Sequence, residues 1–448
     1  MDVLYLLVGV GLVLGVMVLI HEWGHFIAAR LFGVRVDVFS IGFGPRLFGW
    51  KKGPTDYRVS ALPLGGYVRM AGQDLSEVDS GDKPPTGGPD ELMSKPRWQR
   101  ALISFAGPAV NLVFPIFLLT GLFSIVGVPY PAYLDAPVHV TGLPANTAEP
   151  GPLPLKAGDT VVAINGVPTP TWEKALLALK QIAPNAMVKL EVDDSGSRRT
   201  VEVPAKEIAD PNKILGYAPI RPIIDQVAPG TPAERAGLRE GDEITAVDGK
   251  KVEYWEQFRE ATQGSNGQPM TLDVTRKGQS VHLTVTPKKD AAETGQNVYQ
   301  IGVLPRDESA YKHVSFSESV RFASSGTVDT ITRTVDVVGK LFSGRVSIKQ
   351  LQGPVGISHM AGQAVRRGPL DVISLMVLIS INLGILNLLP IPILDGGNIL
   401  LLAIEGIMRR DLSLSFKERF VQVGLVFLLV IFAIVMYNDI LRRIASHS

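Results

Sequence analysis

The chain has 448 residues, of which 46% are hydrophobic and only 19% charged, and its mean hydropathy is +0.20. These values are unusual for a soluble protein with one core, and the length suggests several structural units. A net charge of +1 excludes nucleic-acid binding through a general basic field. The absence of cysteine excludes disulfides, thiolate metal ligands and a cysteine nucleophile.

The first apolar segment begins almost at the N-terminus. Residues 3–20 contain no charged side chain, and at ~1.5 Å per residue a helix of this length crosses most of a bilayer. The segment lacks the basic N-terminal region and the small-residue cleavage site of a signal peptide. The sequence therefore predicts a retained membrane span.

A metal-binding motif follows this span without a break. His21-Glu22-Trp23-Gly24-His25 has the pattern H-E-x-x-H, in which two imidazoles four residues apart lie on one face of a helix and can hold one Zn²⁺. Glu22 can then act as general base on a metal-activated water. Chance occurrence and an interfacial role for the two histidines are the alternatives. Ionisable groups in a span are costly and usually functional, which favours the zinc interpretation.

Three further apolar segments, residues 101–128, 372–389 and 421–437, are long enough to cross a bilayer. Lysine and arginine are concentrated between spans one and two and between spans three and four. The positive-inside rule therefore places those two segments in the cytoplasm, and both termini and residues 129–368 outside it. His21 then lies at the cytoplasmic end of span one.

The long segment between spans two and three contains an internal repeat. Residues 155–166 match residues 238–249 at an offset of 83 residues, which Trp172 and Trp255 also keep. Each copy predicts a Gly-Asp turn, a strand, an Asn/Asp-Gly turn, a short helix (172–180 and 255–263) and two further strands (187–203 and 270–286).

Both copies resemble PDZ domains, which bind an extended peptide by adding it to an exposed strand edge. In the second copy we expect residues 223–227 to be the groove strand, with Ile223 and Ile224 contacting peptide. A spacer that filters substrates by size is the alternative.

Residues 317–341 carry apolar side chains spaced as in an amphipathic helix. Such a helix would lie on the outer membrane surface or against the core, and a soluble linker helix is the alternative. Residues 353–357 are expected to turn the chain into span three.

A catalytic zinc needs a third protein ligand and one open position. The other histidines fall outside the predicted spans, so a carboxylate at the inner end of another span is the better candidate. Asp395 follows Pro390 and Pro392, which cannot continue a helix, and falls at the depth of His21. We expect Asp395 to be the ligand, with Glu405 as the alternative. A turn aspartate at a helix N-terminus would also explain Asp395.

Three features together resemble the site-2 protease family over the whole chain: the H-E-x-x-H of the first span, the paired repeats, and the run Asn387-Leu388-Leu389-Pro390-Ile391-Pro392-Ile393-Leu394-Asp395-Gly396. Residues 39–44 and 63–68 also look like segments that form β-strands beside the active site in this family. The implied fold class is a polytopic α-helical membrane protein with four transmembrane helices and two tandem α+β PDZ domains between the second and third helices.

The resemblance implies an intramembrane zinc metalloendopeptidase of the bacterial inner membrane. Its substrate would be a single-span membrane protein, typically an anti-sigma factor that an upstream site-1-type protease has already shortened. Cleavage would release a cytoplasmic regulator, and periplasmic PDZ domains would control access.

The same resemblance assigns roles to individual residues. It gives Zn²⁺ the ligands His21, His25 and Asp395, and it makes Glu22 the general base. It also implies substrate binding by Asn387 and Pro390 near the helix break, and by Gly65 and Gly66 in a hairpin over 57–70 that would pair with unwound substrate.

The predicted organisation has nine parts in chain order. They are span one with the motif (1–30), a membrane-associated segment with a β-hairpin (31–100), span two (101–128), two PDZ domains (129–210 and 211–306), an amphipathic linker (307–368), span three with the metal-binding aspartate (369–397), a cytoplasmic loop (398–420) and span four (421–440). A membrane scaffold with a degenerate motif is the main rival function. A zinc-handling transporter is disfavoured because the sequence shows a single metal-binding cluster.

Overall fold

The computed structural model describes residues 3–73, 87–140, 155, 159–183, 186–194, 196–205, 218–228, 230–291, 297–306, 308–344 and 353–447. The chain forms two compact units, Met1–Val128 with His313–Leu441 and Pro129–Lys312 with Arg442–Ser448. The first unit holds the apolar helices and the second holds the two repeat copies. Residues 156–158 of the first copy and the predicted domain border at 210/211 lie outside the described residues.

Span one is helical beyond the uncharged run 3–20 and ends at Leu31, next to the predicted bound at residue 30. Helix α1 (Val3–Val10) passes through a π-helical turn (Gly11–Gly15) into α2 (Val16–Leu31), so the whole H-E-x-x-H motif lies within α2. His21 and His25 are therefore one turn apart on the same helical face, where both side chains are buried.

The chain after span one folds as an antiparallel sheet made of β1 (Val36–Lys52) and β2 (Thr55–Met70). Both strands bend, and Ser40 pairs with Arg58 on one side and with Tyr67 on the other. The order of segments across the sheet is therefore 46–52, 55–60, 38–41 and 66–70.

The predicted hairpin over 57–70 is wrong. Its two arms do not pair with each other, because the 38–41 segment of β1 lies between them and takes the backbone bonds of both. Among the described residues, no strand pairs with the outer edge of the 66–70 segment.

Helix α3 (Arg97–Ile125) is the central helix of the first unit, with contacts to α2 and to three helices from the C-terminal part of the chain. Pro108 and Pro115 lie inside it. Proline has no backbone N–H, so each removes one helical hydrogen bond and leaves the carbonyl four residues earlier without its helical partner. The helix ends before the predicted residue 128, at a turn where Gly127 has a φ of 104°.

The two repeat copies have the same order of elements at the predicted offset. After β3 (Val128–Pro131) and β4 (Val138–His139), the first copy has β5 (Thr160–Ile164), β6 (Val167–Pro168), α4 (Trp172–Lys180), β7 (Met187–Asp194) and β8 (Ser197–Pro204). The second copy has β9 (Ile224–Val227), α5 (Pro232–Arg235), β10 (Glu243–Val247), β11 (Lys250–Lys251), α6 (Trp255–Gly264), β12 (Met270–Arg276) and β13 (Gln279–Val285). Four short strands follow, β14 (Lys288–Ala291), β15 (Asn297–Gln300), β16 (Val303–Pro305) and β17 (Ser309–Lys312).

Each copy has its own hydrophobic core, centred on Trp172 and Leu190 in the first and on Ile244 and Leu272 in the second. The Asn-Gly and Asp-Gly turns also correspond, because Asn165 and Asp248 both have a positive φ, 52° and 49°. Such φ values are those of the tight hairpin turn that these dipeptides favour.

A buried aspartate of the Gly-Asp turn stabilises each copy, but its partner differs. Asp159 binds Arg199 of β8, whereas Asp242 binds Arg276 of β12 through two hydrogen bonds of 2.7 Å. Asp242 is fully buried and also accepts the backbone N–H of Arg239. The carboxylate of Asp242 raises the pKa of Arg276 above its usual value, because the charged pair is hydrogen-bonded.

Five helices follow β17: α7 (Phe316–Phe342), α8 (Pro354–Arg367), α9 (Pro369–Leu388), α10 (Asp395–Met408) and α11 (Leu414–His447), all in the first unit except the end of α11 after Leu441. The predicted amphipathic helix is α7. It packs against α3 and α9 through the small side chains of Ser319, Ala323 and Thr327, which places it against the core. Val328 and Val335 of α7 are exposed.

Two expectations about this region are wrong. Residues 353–357 do not lead directly into span three, because they begin α8, whose N-terminal Gly356 N–H donates to the buried Asp439 of α11 at 3.0 Å. The predicted loop 398–420 is largely helical, because α10 continues through the apolar run after Gly397 and ends at Met408. Asp395 is consequently the first residue of α10 and does not belong to span three.

Among the described residues, four helices are long and apolar enough to cross a membrane: Leu4–Leu31, Arg97–Ile125, Pro369–Leu388 and Ser415–Ile440. The chain is a membrane protein.

Replacing Asp242 by alanine should destabilise the second repeat copy by about 3 kcal/mol, because the half-buried Arg276 loses the hydrogen bonds of a fully buried carboxylate. Hydrogen exchange of the β12 amides in the full-length protein measures this change. Glu256→Ala, which removes an exposed i,i+3 pair with Arg259, is the control and should change the same free energy by less than ~1 kcal/mol. Equal exchange in the two variants would show that the buried pair contributes nothing.

Candidate metal centre

The structure brings His21, His25 and Asp395 together at one point. The Nε2 atoms of the two histidines lie 3.2 Å apart. One carboxylate oxygen of Asp395 lies 3.1 Å from Nε2 of His21, and the other lies 3.4 Å from Nε2 of His25. In the described part of the chain, these residues form the only group of three or more His, Asp or Glu side chains close enough to hold one metal ion.

These separations fit a tetrahedral zinc site. Ligand distances of 2.0–2.1 Å in a tetrahedron place neighbouring donor atoms ~3.3 Å apart. The observed distances of 3.1, 3.2 and 3.4 Å agree with that edge. Two imidazoles and one carboxylate also form the donor set of a catalytic site, which leaves the fourth position open.

Span two orients His25. Nδ1 of His25 donates to the carbonyl oxygen of Ile103 at 2.8 Å, so Nε2 carries the lone pair that faces the other two side chains. A Cβ atom on Gly107 would lie only 2.7 Å from Cε1 of His25. Gly24 is equally constrained, because a Cβ there would lie 2.5 Å from the carbonyl oxygen of Ala106. The absence of side chains at both positions lets the two spans approach closely enough for the hydrogen bond to form.

Glu22 lies between the histidines and the sheet. Its side chain is half-buried and lies beside the backbone of Val68. A Cβ atom on Gly66 would lie 3.6 Å from Cγ of Glu22. The carboxylate is thus next to the 66–70 segment of β2, whose outer edge pairs with no strand among the described residues.

Asp395 reaches the centre through a non-helical segment between α9 and α10. Pro390 and Pro392 break the helix, and Ile393 has a φ of 80°, a strained conformation for a β-branched residue. Gly396 and Gly397 allow α10 to start directly against this segment, because Cβ atoms there would lie 2.5 Å from the carbonyl carbon of Leu388 and 2.9 Å from that of Ile391.

Two predicted substrate residues of the first unit lie in β2, and two lie on the stretch of chain that leads to Asp395. Gly65 and Gly66 lie in β2; Gly65 has a φ of 126°, and a Cβ atom on Gly66 would lie 2.6 Å from the carbonyl oxygen of Ser40. Asn387 is half-buried in the last turn of α9, and Pro390 is exposed in the segment that follows. Packing explains both glycines, and the substrate role of all four residues stays a prediction.

The predicted groove strand of the second repeat copy is wrong. Ile224 is fully buried, its N–H donates to the carbonyl of Asp242, and its carbonyl accepts from Gly241. Its other edge pairs with β16. Ile223 also has a partner on each edge, because it forms a β-bridge with Glu243 and its carbonyl accepts the N–H of Arg306. Because the backbone groups of Ile223 and Ile224 are occupied on both edges, a peptide cannot add to these two residues. β16 pairs only with β9 among the described residues and has a free edge.

Glu405, the alternative ligand, lies elsewhere. It is fully buried, and its Oε1 atom lies 3.0 Å from Nζ of Lys417 and accepts the N–H of Leu412 at 3.0 Å. The ion pair with Lys417 explains a buried carboxylate without a metal.

Sequence reasoning missed the residues of span two that surround the histidines. Asn111 interrupts the apolar run of span two, and a polar side chain inside a span is itself a signal of function. Its amide nitrogen lies 3.3 Å from Nδ1 of His21. Gly107 gave no signal, because the need for it arises from the neighbouring span.

The sequence matches the family described as Peptidase family M50 over residues 10–431. The chain belongs to this family. The match includes both histidines, Glu22 and Asp395, so it covers the whole candidate centre.

Similar proteins cover the full length of the chain. "Protease RseP" of Yersinia pestis is 32% identical over 469 residues, which are 99% of this chain and 100% of the relative. "Regulator of sigma-E protease RseP" of Escherichia coli K12 is 31% identical, with 96% and 97% covered. A Vibrio cholerae protein named as a zinc metalloprotease is 31% identical, with 98% and 99% covered.

Among solved structures, the chain is similar to the PDZ domain of an SdrC-like protein from Listeria monocytogenes. The two are 18% identical, the match covers 19% of this chain and 87% of that domain, and the TM-score is 0.17.

Membership of family M50, the site-2 protease family, makes the protein a zinc metalloprotease of the site-2 type. The zinc dependence of the family agrees with the donor set and the donor spacing of the candidate centre.

Gly107→Ala should lower cleavage on the order of 100-fold, because the added methyl group displaces the His25 ring and small displacements of catalytic groups have effects of that size. The measurement is the rate of cleavage of a single-span substrate by purified enzyme. Gly121→Ala in the same helix is the control, since a Cβ there meets nothing within 4 Å, and it should cleave at the wild-type rate. A fully active Gly107→Ala variant would contradict the close approach of the two spans.

Proposed function

We propose that this protein cleaves a single-span membrane protein within the membrane, with His21, His25 and Asp395 as zinc ligands and Glu22 as general base. The observation that carries the proposal is the convergence of the three donor atoms at separations of 3.1–3.4 Å beside a carboxylate. We infer that the substrate is an anti-sigma factor shortened beforehand by another protease; the relative named as a regulator of sigma-E protease supports a role in sigma-factor regulation.

Zinc, when bound, would polarise the scissile carbonyl and make water easier to deprotonate. Glu22 would take the proton from the attacking water and hand it to the nitrogen of the leaving amine as the peptide bond breaks. Hydrolysis then yields one new carboxylate and one new amine. His25 contributes orientation, since its bond to the Ile103 carbonyl keeps Nε2 directed at the centre.

The 66–70 segment of β2 offers a place for the substrate backbone. A scissile bond in a helix must first be unwound, and its freed backbone groups need partners where water is scarce. An extended substrate strand alongside this segment would have such partners and would pass next to Glu22. Gly65 and Gly66 would permit close approach, and Asn387 and Pro390 would contact the substrate at the helix break.

The distribution of lysine and arginine supports an orientation with the catalytic centre near the cytoplasmic side of a bacterial inner membrane and the repeat copies in the periplasm. Cleavage there would release a cytoplasmic regulator. The tandem repeat copies would act as PDZ domains that control substrate access.

In the second copy, the free edge of β16 is the proposed peptide site. The carbonyl of Gly302 accepts the N–H of Ala228, and the N–H of Arg306 donates to the carbonyl of Ile223. The alternation of a strand therefore directs the N–H and C=O of Val303 to the opposite edge, which pairs with no strand among the described residues. A peptide added at that edge would bond to Val303.

Glu22→Gln should lower cleavage by 10²–10⁴-fold while zinc stays bound, because glutamine cannot accept the proton. Asp395→Ala should lose both zinc and activity. Purified variants are assayed for cleavage of a single-span substrate and for zinc by elemental analysis.

Glu418→Gln, the same change at an exposed position of α11, is the control and should match the wild type. Zinc at full occupancy in Asp395→Ala would remove Asp395 from the ligand set. Normal cleavage by Glu22→Gln would exclude the general base. A wild type that neither binds zinc nor cleaves would favour a membrane scaffold.

Val303→Pro should weaken peptide binding about fivefold, because it removes one N–H and a typical hydrogen bond contributes about 1 kcal/mol. The probe is the tightest peptide selected from a C-terminal library on the wild-type protein, and fluorescence anisotropy gives its Kd. Val303→Ala keeps the N–H and should bind within about twofold. Equal loss in both variants would disprove the backbone contact, and a library that yields no binder would favour the size-filtering spacer.

A further inference from the structure

The side chain of Asn111 lies at the candidate centre, where its amide nitrogen and its amide oxygen have different surroundings. Asn111 lies in α3, is fully buried, and has its amide nitrogen 3.3 Å from Nδ1 of His21. Its amide oxygen is buried and has no hydrogen-bond partner among the residues that the structure describes. A buried acceptor without a partner is costly, because it loses its hydrogen bond to water and gains none in return.

His21 requires an acceptor at the same position. Its Nε2 faces Asp395 and Nε2 of His25, so this nitrogen is the one directed at the metal position. A neutral imidazole that binds through Nε2 carries its proton on Nδ1, which is then a donor. A carboxamide nitrogen is also a donor, so it cannot accept that proton.

One change satisfies both groups. The oxygen and nitrogen of a carboxamide exchange places when the group turns by half a rotation, and hydrogen bonds decide between the two arrangements. With the oxygen towards His21, the N–H of the ring has an acceptor and the buried oxygen has a donor. We propose that Asn111 is a positioning residue for zinc, whose amide oxygen accepts the Nδ1–H of His21 and thereby holds Nε2 towards the metal. The inference rests on the proposed ligand set.

The backbone of span two fixes Asn111 in place. Pro115 has no N–H, so the carbonyl of Asn111 loses its usual partner within the helix. The hydroxyl of Ser380 in α9 donates to that carbonyl at 2.8 Å. The residue is thus bonded on both sides, to span one through its side chain and to span three through its backbone.

Span two then orients both histidines by the same means. His25 donates Nδ1–H to the Ile103 carbonyl at 2.8 Å, and His21 would donate to Asn111, eight residues further along α3. Eight residues are ~2.2 helical turns, so both acceptors lie close to one face of the helix. Helix α2, which runs antiparallel to α3, carries His21 and His25 one turn apart on the side that faces α3.

The test is the zinc affinity of the full-length protein, measured by competition with a chelator. Asn111→Leu removes the acceptor and should weaken zinc binding 10–100-fold, the usual effect of losing the hydrogen-bond partner of a ligating histidine. Asn111→Asp keeps an acceptor oxygen and should bind zinc as tightly as the wild type or more tightly. Asn382→Leu is the matched control, because it makes the same change in α9, where the carboxamide of Asn382 contacts Thr334 of α7, and its zinc affinity should not change.

Two results would overturn the proposal: wild-type zinc affinity in Asn111→Leu, or an equal loss in Asn111→Leu and Asn111→Asp. If Asn111→Leu does not fold, Asn111→Ala decides in its place, because it removes the acceptor without adding bulk. His21→Ala separates this inference from the ligand set. Retention of zinc in His21→Ala would disprove the ligand itself, whereas loss of zinc there with normal affinity in Asn111→Leu would disprove only the role of Asn111.

Discussion

The close approach of spans one and two is the constraint on which the rest of the site depends. Gly24 and Gly107 leave no room for a side chain where the two helices cross, and the His25 ring occupies the space that a Cβ of Gly107 would need. Only at this distance can the Ile103 carbonyl and the Asn111 carboxamide reach the two imidazoles. Small residues are the general means by which helices in lipid approach one another, because lipid supplies no hydrophobic driving force between them. Here the same close approach directs the Nε2 atoms of His21 and His25 to the proposed metal position.

Backbone irregularity appears where this site needs it. Pro115 leaves the Asn111 carbonyl without a helical partner, and Ser380 supplies the missing donor, so the interruption becomes a bond between spans two and three. The break after α9 has a different use, because it carries Asp395 to the histidines through a strained Ile393. Unpaired backbone groups are costly in lipid, and irregular backbone is tolerated there only when it is buried in protein or lines a wet cavity.

The sequence predicted the features that depend on local pattern. The H-E-x-x-H spacing, the apolar runs and the repeated Asn/Asp-Gly turns all act over a few residues, and the helices at Trp172 and Trp255 begin where the pattern indicated. It failed where pairing between distant segments decides. Nothing within residues 223–227 shows that Ile223 and Ile224 are bonded on both edges, because their partners lie around Asp242 and Val303. The buried aspartates illustrate the same limit, since Asp159 and Asp242 occupy equivalent positions and take their arginines from different strands.

The position of Asp395 depends on a short helix, because α10, unlike the helices of spans one and two, has only 14 residues. Its first residue supplies the carboxylate, and near its other end Glu405 is buried against Lys417 of α11 at 3.0 Å. A buried carboxylate is strongly unfavourable without its partner, so this ion pair fixes α10 to the start of α11. A second contact acts at the opposite end, where Gly424 of α11 allows Pro392 to pack so closely that a Cβ would lie 2.8 Å from the carbonyl oxygen of Pro392. Span four thus contacts α10 near both of its ends and so fixes the proposed metal-binding aspartate, although span four contributes no residue to the donor set. A displacement of span four would therefore move Asp395 relative to the two histidines, which are held independently by span two.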